Sequence, residues 1–277
     1  MITKDELRTV IENQQKKAFE NRIIPRETKI DSTSKHITII TGIRRSGKST
    51  LLRHTLQSVS KRLFVNFEDP RLHHFTHKDF FKIEDLYPEI TTFFFDEIQN
   101  VDEWERYIRY AHDNGKRLFL TGSNASMLSR ELGTKLTGRY IEKELFPFSY
   151  MEFLDYSAKQ PSKKSFEAYL EQGGFPEFLE KNDYEYLQLL VKNIVARDIV
   201  VRKQLRSETI IEELIQFLLS NVGKEVSYNK ISKLLGVKSV RSTIDYIHYL
   251  QESYLIDILP RYSTSVKKQM LNPKKIY

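Results

Sequence analysis

The sequence predicts an α/β fold, in which a mostly parallel sheet with flanking helices is followed by a helical segment and a small helix-rich module. Short apolar runs at 36–41, 62–67, 91–95 and 117–121 have the length of buried strands. Helical patterns separate these runs, and strands that alternate with helices favour parallel pairing. Beyond Pro147 the alternation stops, so a different architecture is expected there.

Five segments are predicted from this pattern. They are an N-terminal helix with its connector, the α/β core, a mostly helical segment, a winged helix and a basic tail, over residues 1–34, 35–149, 150–205, 206–262 and 263–277. The winged helix is predicted because three helical patterns, the last two joined by a tight turn at Gly236, precede an alternating strand at 255–259. In the third of these helices, the predicted buried residues are Val240, Ile244, Ile247 and Leu250.

The first strand leads into Gly-Ile-Arg-Arg-Ser-Gly-Lys-Ser at 42–49, which has every fixed residue of the phosphate-binding pattern G-x-x-x-x-G-K-[ST]. The glycines let successive N–H groups turn inward around an anion, and a helix that begins at Lys48 adds the positive end of its dipole. Lys48 is expected to reach the β and γ phosphates, and the Ser49 hydroxyl is expected to bind Mg²⁺. The residues predicted to bind a nucleotide are Gly42, Arg44, Arg45, Ser46, Gly47, Lys48, Ser49 and Thr50.

Two adjacent carboxylates, Asp96 and Glu97, follow the apolar run at 91–95. Ligands of open α/β sheets bind outside the carboxyl ends of the strands, so both side chains are expected near the nucleotide. Asp96 is expected to hold Mg²⁺, directly or through water, and Glu97 to orient and deprotonate the attacking water. A helix N-cap followed by a surface acid is the alternative interpretation.

Polar residues also follow the strand at 117–121. Asn124, or its neighbour Ser123, is expected to form a hydrogen bond with the γ-phosphate or with the attacking water. Residues of this type also cap helices, and a helix is predicted at 125–131, so capping is an equal alternative.

In their order along the chain, these motifs resemble those of the AAA-type ATPases of bacteria and archaea in which a P-loop domain is followed by a winged helix. The resemblance extends over nearly the whole chain. It rests on GIRRSGKS at 42–49, DEIQ at 96–99, TGSN at 121–124, LTGRY at 136–140, PFSYMEFL at 147–154 and GGFP at 173–176. It implies a P-loop NTPase fold with a helical lid over 150–205, and ATP in preference to GTP.

The resemblance also implies an ATP-driven oligomer or switch. Arg139 resembles an arginine finger, which a neighbouring subunit would supply to stabilise charge on the transferred phosphoryl group. Read from the sequence alone, Arg139 is equally well a cation on a strand that runs to Phe146.

In a winged helix, the third helix would enter the major groove of duplex DNA. The residues expected near the DNA are Lys230, Lys233, Lys238 and Arg241. Many winged helices bind proteins instead. The sequence therefore predicts a Mg²⁺-dependent ATP-hydrolysing enzyme, with a nucleotide-gated DNA- or protein-binding switch of little turnover as the alternative.

Composition limits the remaining classes. The formal charge is +7, which suits a polyanion but is also explained by a phosphate site alone, and the lack of cysteine excludes disulfides and Cys-type zinc sites. No apolar run approaches the roughly 18 residues of a membrane span, and residues 1–10 lack a signal-peptide core, so a cytoplasmic protein is expected. In the family, the segment that matches the basic C-terminus opens an endonuclease-like domain, so a truncation is expected and no nuclease activity is assigned.

Overall fold

The structure, a computed structural model, divides into two compact units at Met1–Asn182 and Asp183–Tyr277. It describes residues 2–17, 24–122, 136, 138–201, 203–205, 208–237 and 239–277, apart from the side chains of residues 270 and 271. Among these residues, no helix combines the length and the apolarity that a membrane span requires.

A five-stranded sheet forms the centre of the N-terminal unit. Its strands are β1 (Ile37–Thr41), β2 (Arg62–Asn66), β3 (Thr92–Asp96), β4 (Arg117–Thr121) and β5 (Tyr140–Glu144). They lie in the order β2-β3-β4-β1-β5, and every neighbouring pair is parallel, as the sequence predicts. β1 and β3 are buried throughout, which explains their continuous apolar composition. Because all five strands run the same way, the carboxyl ends of β1, β3 and β4 lie at one edge.

The helices of this unit are α1 (Lys4–Lys17), α2 (Lys48–Gln57), α3 (Phe80–Leu86), α4 (Trp104–Asp113), α5 (Tyr150–Ser157), α6 (Lys163–Gln172) and α7 (Pro176–Lys181). Four of them, α1 to α4, cover the two faces of the sheet. The larger core joins one face of the sheet to α1, α3 and α4, and Leu7, Phe80 and Trp104 belong to it. A smaller core joins the other face to α2, with Phe94 stacked on Phe119 at 4.7 Å between ring centroids.

The C-terminal unit has a separate core. Its elements are α8 (Tyr184–Asn193), a π-helical turn (Ile194–Val201), α9 (Thr209–Leu219), β6 (Glu225–Val226), α10 (Tyr228–Leu234), α11 (Val240–Glu252), β7 (Ile258–Pro260), α12 (Val266–Leu271) and β8 (Lys274–Ile276). The three strands form an antiparallel sheet in the order β6-β8-β7. Ile211, Ile247 and Ile276 are among the residues that fill the core between this sheet and the helices.

The observed division differs from two predicted boundaries. The unit boundary lies within the predicted helical segment 150–205, because α8 and the π-helical turn place Val195 and Ile199 in the C-terminal core. The predicted tail 263–277 is instead structured: it contains α12 and the central strand β8, whose Ile276 is 2% exposed.

α11 also differs from its predicted pattern. Ile247 and Leu250 are buried as expected, but Val240 and Ile244 are 36% and 37% exposed, and Thr243 is buried in their place. The apolar stripe at the start of this helix therefore lies on the surface of the unit.

Candidate functional site

The loop that follows β1 is shaped around two glycines. Gly42 has φ +136°, and a Cβ at this position would lie 2.1 Å from the carbonyl oxygen of Leu145. Gly47, at φ +98°, occupies the N-cap of α2 in the left-handed region. Because L side chains rarely adopt these angles, the two glycines let the backbone fold back on itself and direct N–H groups toward an anion.

Lys48 lies within this loop. It is 4% exposed, and its Nζ donates to the carbonyl oxygens of Gly42 at 3.0 Å and Ile43 at 2.9 Å. Two dipoles of the loop therefore hold the ammonium beside the space that an anion would occupy.

Ser49 and Asp96 meet at the carboxyl edge of the sheet. The Ser49 hydroxyl donates to Asp96 Oδ1 at 2.9 Å, and the Thr121 hydroxyl donates to the same oxygen. Burial and then the charge of Glu97 raise the pKa of Asp96 to about 6, although the hydrogen bonds from Thr121 and Ser49 act against this rise. A hydroxyl and a carboxylate oxygen thus converge on one point, and this donor set fits Mg²⁺.

Glu97 has an unusual backbone conformation. Its φ of 54° and ψ of 48° lie in the left-handed region, which costs a residue with a Cβ about 1 kcal/mol. The N–H of Glu97 donates to Thr121 Oγ1 at 2.9 Å and so holds this conformation, while its carboxylate accepts from the Gln99 amide. The carboxylate of Glu97 borders the same cavity as Lys48 and Ser49.

That cavity has a volume of about 900 Å³, which lies within the usual range for ligand sites. Its cationic lining residues are Arg26, Arg44, Arg45, Lys48, Arg53 and Lys181. Ile24, Phe148 and Tyr156 are among its apolar and aromatic lining residues. The cavity therefore suits a ligand that has a polyanionic part and an apolar part.

Comparison with protein families also indicates a nucleotide site here, independently of this geometry. Residues 34–154 match the family model of the AAA domain. This part of the chain is a domain of the AAA-type P-loop ATPase family. The predicted resemblance is thereby confirmed for the AAA part of the chain, as is the predicted P-loop α/β fold, and the N-terminal unit contains a nucleotide-binding AAA domain. The predicted winged helix stays a prediction. Residues 163–277 match a domain of unknown function, DUF8612.

The chain is also similar to three individual proteins. An uncharacterized protein of Methanocaldococcus jannaschii is 31% identical over 280 residues, which cover 92% of this chain and 63% of that protein. An uncharacterized protein of Haemophilus influenzae is 32% identical over 243 residues, which cover 79% of this chain and 61% of that protein. A Walker-type ATPase of Pyrococcus abyssi has a similar fold, with a TM-score of 0.53 at 18% identity, covering 94% of this chain and 97% of that one. The chain thus spans about three fifths of the length of the curated relatives it matches.

The remaining predicted nucleotide-binding residues lie within the P-loop or directly after it. Arg44 NH1 lies 3.2 Å from Glu68 Oε1, and Arg45 NH1 lies 3.4 Å from Glu177 Oε2 in α7. Ser46 is fully buried, and its hydroxyl has no hydrogen-bond partner among the residues that the structure describes. Thr50 is half-buried and borders the cavity.

Arg139 lies apart from this cluster. Its carbonyl accepts from the N–H of Ile37 at the start of β1, so it lies at the amino edge of the sheet. A strand of this length spans roughly 15 Å, and the P-loop follows the opposite end of β1. The Arg139 guanidinium lies 3.1 Å from Asp113 Oδ1 and is one-third exposed. Within one chain, the fold therefore does not bring Arg139 to the nucleotide site.

The other predicted site residues divide into two groups. Asn124, with Ser123, and Lys238 lie outside the described residues. Lys230, Lys233 and Arg241 are exposed in the C-terminal unit, and Arg241 Nε lies 3.4 Å from Asp245 Oδ1.

Three residues of the site were not found by sequence reasoning. Thr121 ends β4, and its hydroxyl forms hydrogen bonds with the Asp96 side chain and the Glu97 backbone. The sequence signal for Thr121 is its place as the first residue of the TGSN motif. Arg26 and Glu152 form a buried ion pair at 2.9 Å beside the P-loop. A signal for Glu152 was present, because Ser149 and Glu152 have the spacing of a capping box, which the structure contains. The connector sequence gives no sign of the contacts of Arg26.

Proposed function

We propose that this chain binds ATP together with Mg²⁺ and hydrolyses it. The observation that supports this most strongly is the Ser49–Asp96 hydrogen bond of 2.9 Å beside the loop that holds Lys48. It joins the loop to a hydroxyl and carboxylate pair that suits Mg²⁺, within an AAA domain.

Each group has a separate task in the bound state. The loop N–H groups and Lys48 would bind the β and γ phosphates, while Ser49 and Asp96 would hold Mg²⁺. Mg²⁺, when bound, would act as a Lewis acid that neutralises charge on the phosphate oxygens. The apolar and aromatic lining residues Ile24, Phe148 and Tyr156 accommodate the base.

Hydrolysis requires a water molecule in line with the γ-phosphate. The water oxygen forms a bond to the γ-phosphorus as the bond from this phosphorus to the β–γ bridging oxygen breaks. Glu97 takes a proton from the water, and the bridging oxygen leaves with ADP. The strained backbone at Glu97, fixed by Thr121, holds the carboxylate in one orientation for this step. The assignment of Asn124 as a sensor of the γ-phosphate is part of this proposal.

Arg139 is proposed to act in trans in a homo-oligomer. Its place at the amino edge of its own sheet supports this, since it is remote from its own P-loop and its side chain is one-third exposed. An arginine from a second subunit would stabilise the charge of the transferred phosphoryl group.

The C-terminal unit is proposed to be a winged helix that responds to the nucleotide. From α9 onward its order of helix, strand, two helices and strand, followed by α12 and the strand β8 that completes one three-stranded antiparallel sheet, supports this. Contact with duplex DNA through Lys230, Lys233, Lys238 and Arg241 is part of the proposal.

A nucleotide-gated switch with little turnover is the second candidate. The exposed apolar pair Val240 and Ile244 on α11 favours it, because apolar side chains at the start of this helix suit a protein partner as well as a DNA groove.

Titration with a fluorescent ATP analogue, with and without Mg²⁺, tests nucleotide binding. Lys48→Ala is expected to weaken binding at least about tenfold, since it removes a charge-assisted contact to phosphate. Lys116→Ala is a matched control, because Lys116 Nζ also donates to a backbone carbonyl, that of Ile90 at 2.7 Å, but before β4 rather than after β1. Equal binding by wild type and Lys48→Ala would contradict the proposal.

A further inference from the structure

Arg26 connects three parts of the N-terminal unit through one buried guanidinium. Its side chain is 7% exposed. Nε donates to Glu152 Oε1 at 2.9 Å, NH1 donates to the carbonyl of Ser46 at 2.8 Å, and NH2 donates to the carbonyl of Phe146 at 2.7 Å. The guanidinium also lies over the Phe148 ring, 4.9 Å from its centroid. The connector, the P-loop and the segment before α5 are thus joined at one side chain.

The contact with Ser46 fixes a peptide group of the P-loop. In a trans peptide the C=O and N–H vectors are opposed, and the described residues contain no cis peptide bond. Because the Ser46 carbonyl is turned toward Arg26, the N–H of Gly47 is turned the opposite way. A Cβ on Gly47 would lie 3.2 Å from Arg26 NH1, so the guanidinium packs directly against the loop.

Glu152 fixes the other end of this arrangement. Its side chain is 5% exposed and accepts from Arg26, from the N–H of Glu27 at 2.7 Å and from the N–H of Ser149 at 2.9 Å. The last bond belongs to the capping box of α5. A buried ion pair is a weak source of stability, because desolvation of both charges opposes their attraction. A role in geometry therefore explains this pair better than a role in stability.

We propose that Arg26 is a positioning residue for the triphosphate, which orients the Ser46–Gly47 peptide of the P-loop and couples that loop to α5 through Glu152. The proposal rests on the proposed function, since it assumes that the P-loop holds a nucleotide. It adds the N-terminal connector to the nucleotide site and assigns Arg26 an effect on phosphate binding that acts through the backbone.

Two measurements on the full chain test this role. The first is hydrogen–deuterium exchange of the P-loop amides without nucleotide, and the second is affinity for a fluorescent ATP analogue. Arg26→Ala is expected to speed exchange across residues 43–48 and to weaken affinity at least about tenfold, because small displacements of binding groups have large effects. Asp79→Asn is the matched control, since the Asp79 carboxylate is also buried and pairs with Lys82 at 2.6 Å, but lies at the start of α3.

Arg26→Lys separates geometry from folding. A lysine restores the charge beside Glu152 but lacks the planar fork that donates to Ser46 and Phe146 together. The unfolding temperature is measured as a third quantity. Arg26→Lys is expected to recover the unfolding temperature that Arg26→Ala lowers, without recovery of affinity or of slow P-loop exchange. If Arg26→Lys recovers all three, or if Asp79→Asn weakens affinity as much as Arg26→Ala does, the role is merely structural and the proposal is overturned.

The design also separates failure of this proposal from failure of the proposed function. If the wild-type chain does not bind the analogue in a Lys48-dependent way, the proposed function is wrong. The exchange measurement still decides the inference in that case, because unchanged P-loop exchange in Arg26→Ala overturns it and faster exchange supports the effect of Arg26 on the loop.

Discussion

The carboxyl edge of the N-terminal sheet and the surface of the C-terminal unit carry polar groups of different kinds. At the sheet edge, Lys48, Ser49 and Asp96 are held by hydrogen bonds of 2.9–3.0 Å, and Lys48 and Asp96 are almost fully buried. In the C-terminal unit, Lys230 and Lys233 are exposed cations beside surface apolar residues. Buried groups that converge on one point specify a chemistry, whereas exposed cations specify only a charge. The predictions below test that difference.

The largest expected effect concerns Arg139. Arg139→Ala is expected to lower ATP turnover by about 1,000-fold or more, as loss of an arginine finger does. If Arg139 acts in trans, mixing Arg139→Ala with Lys48→Ala restores part of the turnover, because one interface then pairs an intact P-loop with an intact arginine. Turnover that is unaffected by Arg139→Ala would exclude an arginine-finger role for Arg139. If the mixture recovers no turnover, action of Arg139 in trans is excluded.

Loss of Glu97 is expected to separate catalysis from binding. Glu97→Gln keeps the shape of the side chain but removes the base, so turnover is expected to fall at least about 100-fold with nucleotide affinity retained. Glu103→Gln is a matched control, because Glu103 has a similar left-handed backbone, with φ 56°, and lies outside the cavity lining. Turnover close to that of the wild type in Glu97→Gln would show that Glu97 is not the base.

Two buried threonines allow a comparison of stability within one sheet. Thr121→Val removes the hydroxyl that serves Asp96 and the Glu97 N–H, and is expected to lower the free energy of unfolding by about 1–3 kcal/mol. Thr92→Val is expected to be near neutral, since the Thr92 hydroxyl is equally buried and has no hydrogen-bond partner in the described part of the chain. Chemical denaturation measures both, and equal losses would contradict the role given to Thr121.

Acid is expected to destabilise the N-terminal unit. Hydrogen bonds from Arg71 lower the pKa of Asp69 to about 2. The pKa of Glu152 is also lowered. Burial acts to raise it, but hydrogen bonds from Arg26 and from two backbone N–H groups outweigh that effect. A carboxylate with a lowered folded-state pKa stabilises the fold above its unfolded pKa of about 4, and this contribution is lost as the pH falls through the folded value.

The free energy of unfolding is therefore expected to fall between about pH 4 and pH 2. The fluorescence of Trp104, the single tryptophan of the chain and 1% exposed, follows unfolding of the N-terminal unit specifically. Asp69→Asn should flatten this dependence, and an unchanged slope in that variant would exclude Asp69 as a cause.

The smallest expected effects lie in the C-terminal unit. Lys233→Ala is expected to weaken duplex DNA binding by a few fold and to lower the slope of log affinity against log salt by about one. Lys163→Ala, which alters an exposed lysine of α6, is the control. Binding that is equal in both variants would favour a protein partner for α11, in agreement with exposed Val240 and Ile244.

Local patterns explain what the sequence predicted well. The strands β1 to β4 and the P-loop are continuous segments, and the rule for carboxyl ends of parallel strands correctly brought Asp96 near Ser49. The Arg26–Glu152 pair was missed because its members are 126 residues apart and only the tertiary fold joins them.

The C-terminal unit shows the limits of periodicity. β8 was missed because a strand of Lys-Lys-Ile has one apolar residue, and pairing with β6 and β7 on both sides is what forms it. On α11, helical spacing marked Val240 and Ile244 as buried, but within the described part of the C-terminal unit both side chains stay more than one-third exposed. Periodicity identifies an apolar face and does not determine what packs on it.

ATP turnover of the purified chain and of Lys48→Ala, over a range of protein concentrations and with and without duplex DNA, tests the central claim most directly. The account predicts Mg²⁺-dependent turnover that requires Lys48 and rises per subunit with concentration, because Arg139 comes from a neighbour. Turnover that persists in Lys48→Ala would contradict the assignment of the site, and the absence of Lys48-dependent turnover under every condition would leave a nucleotide-gated switch in place of an ATPase.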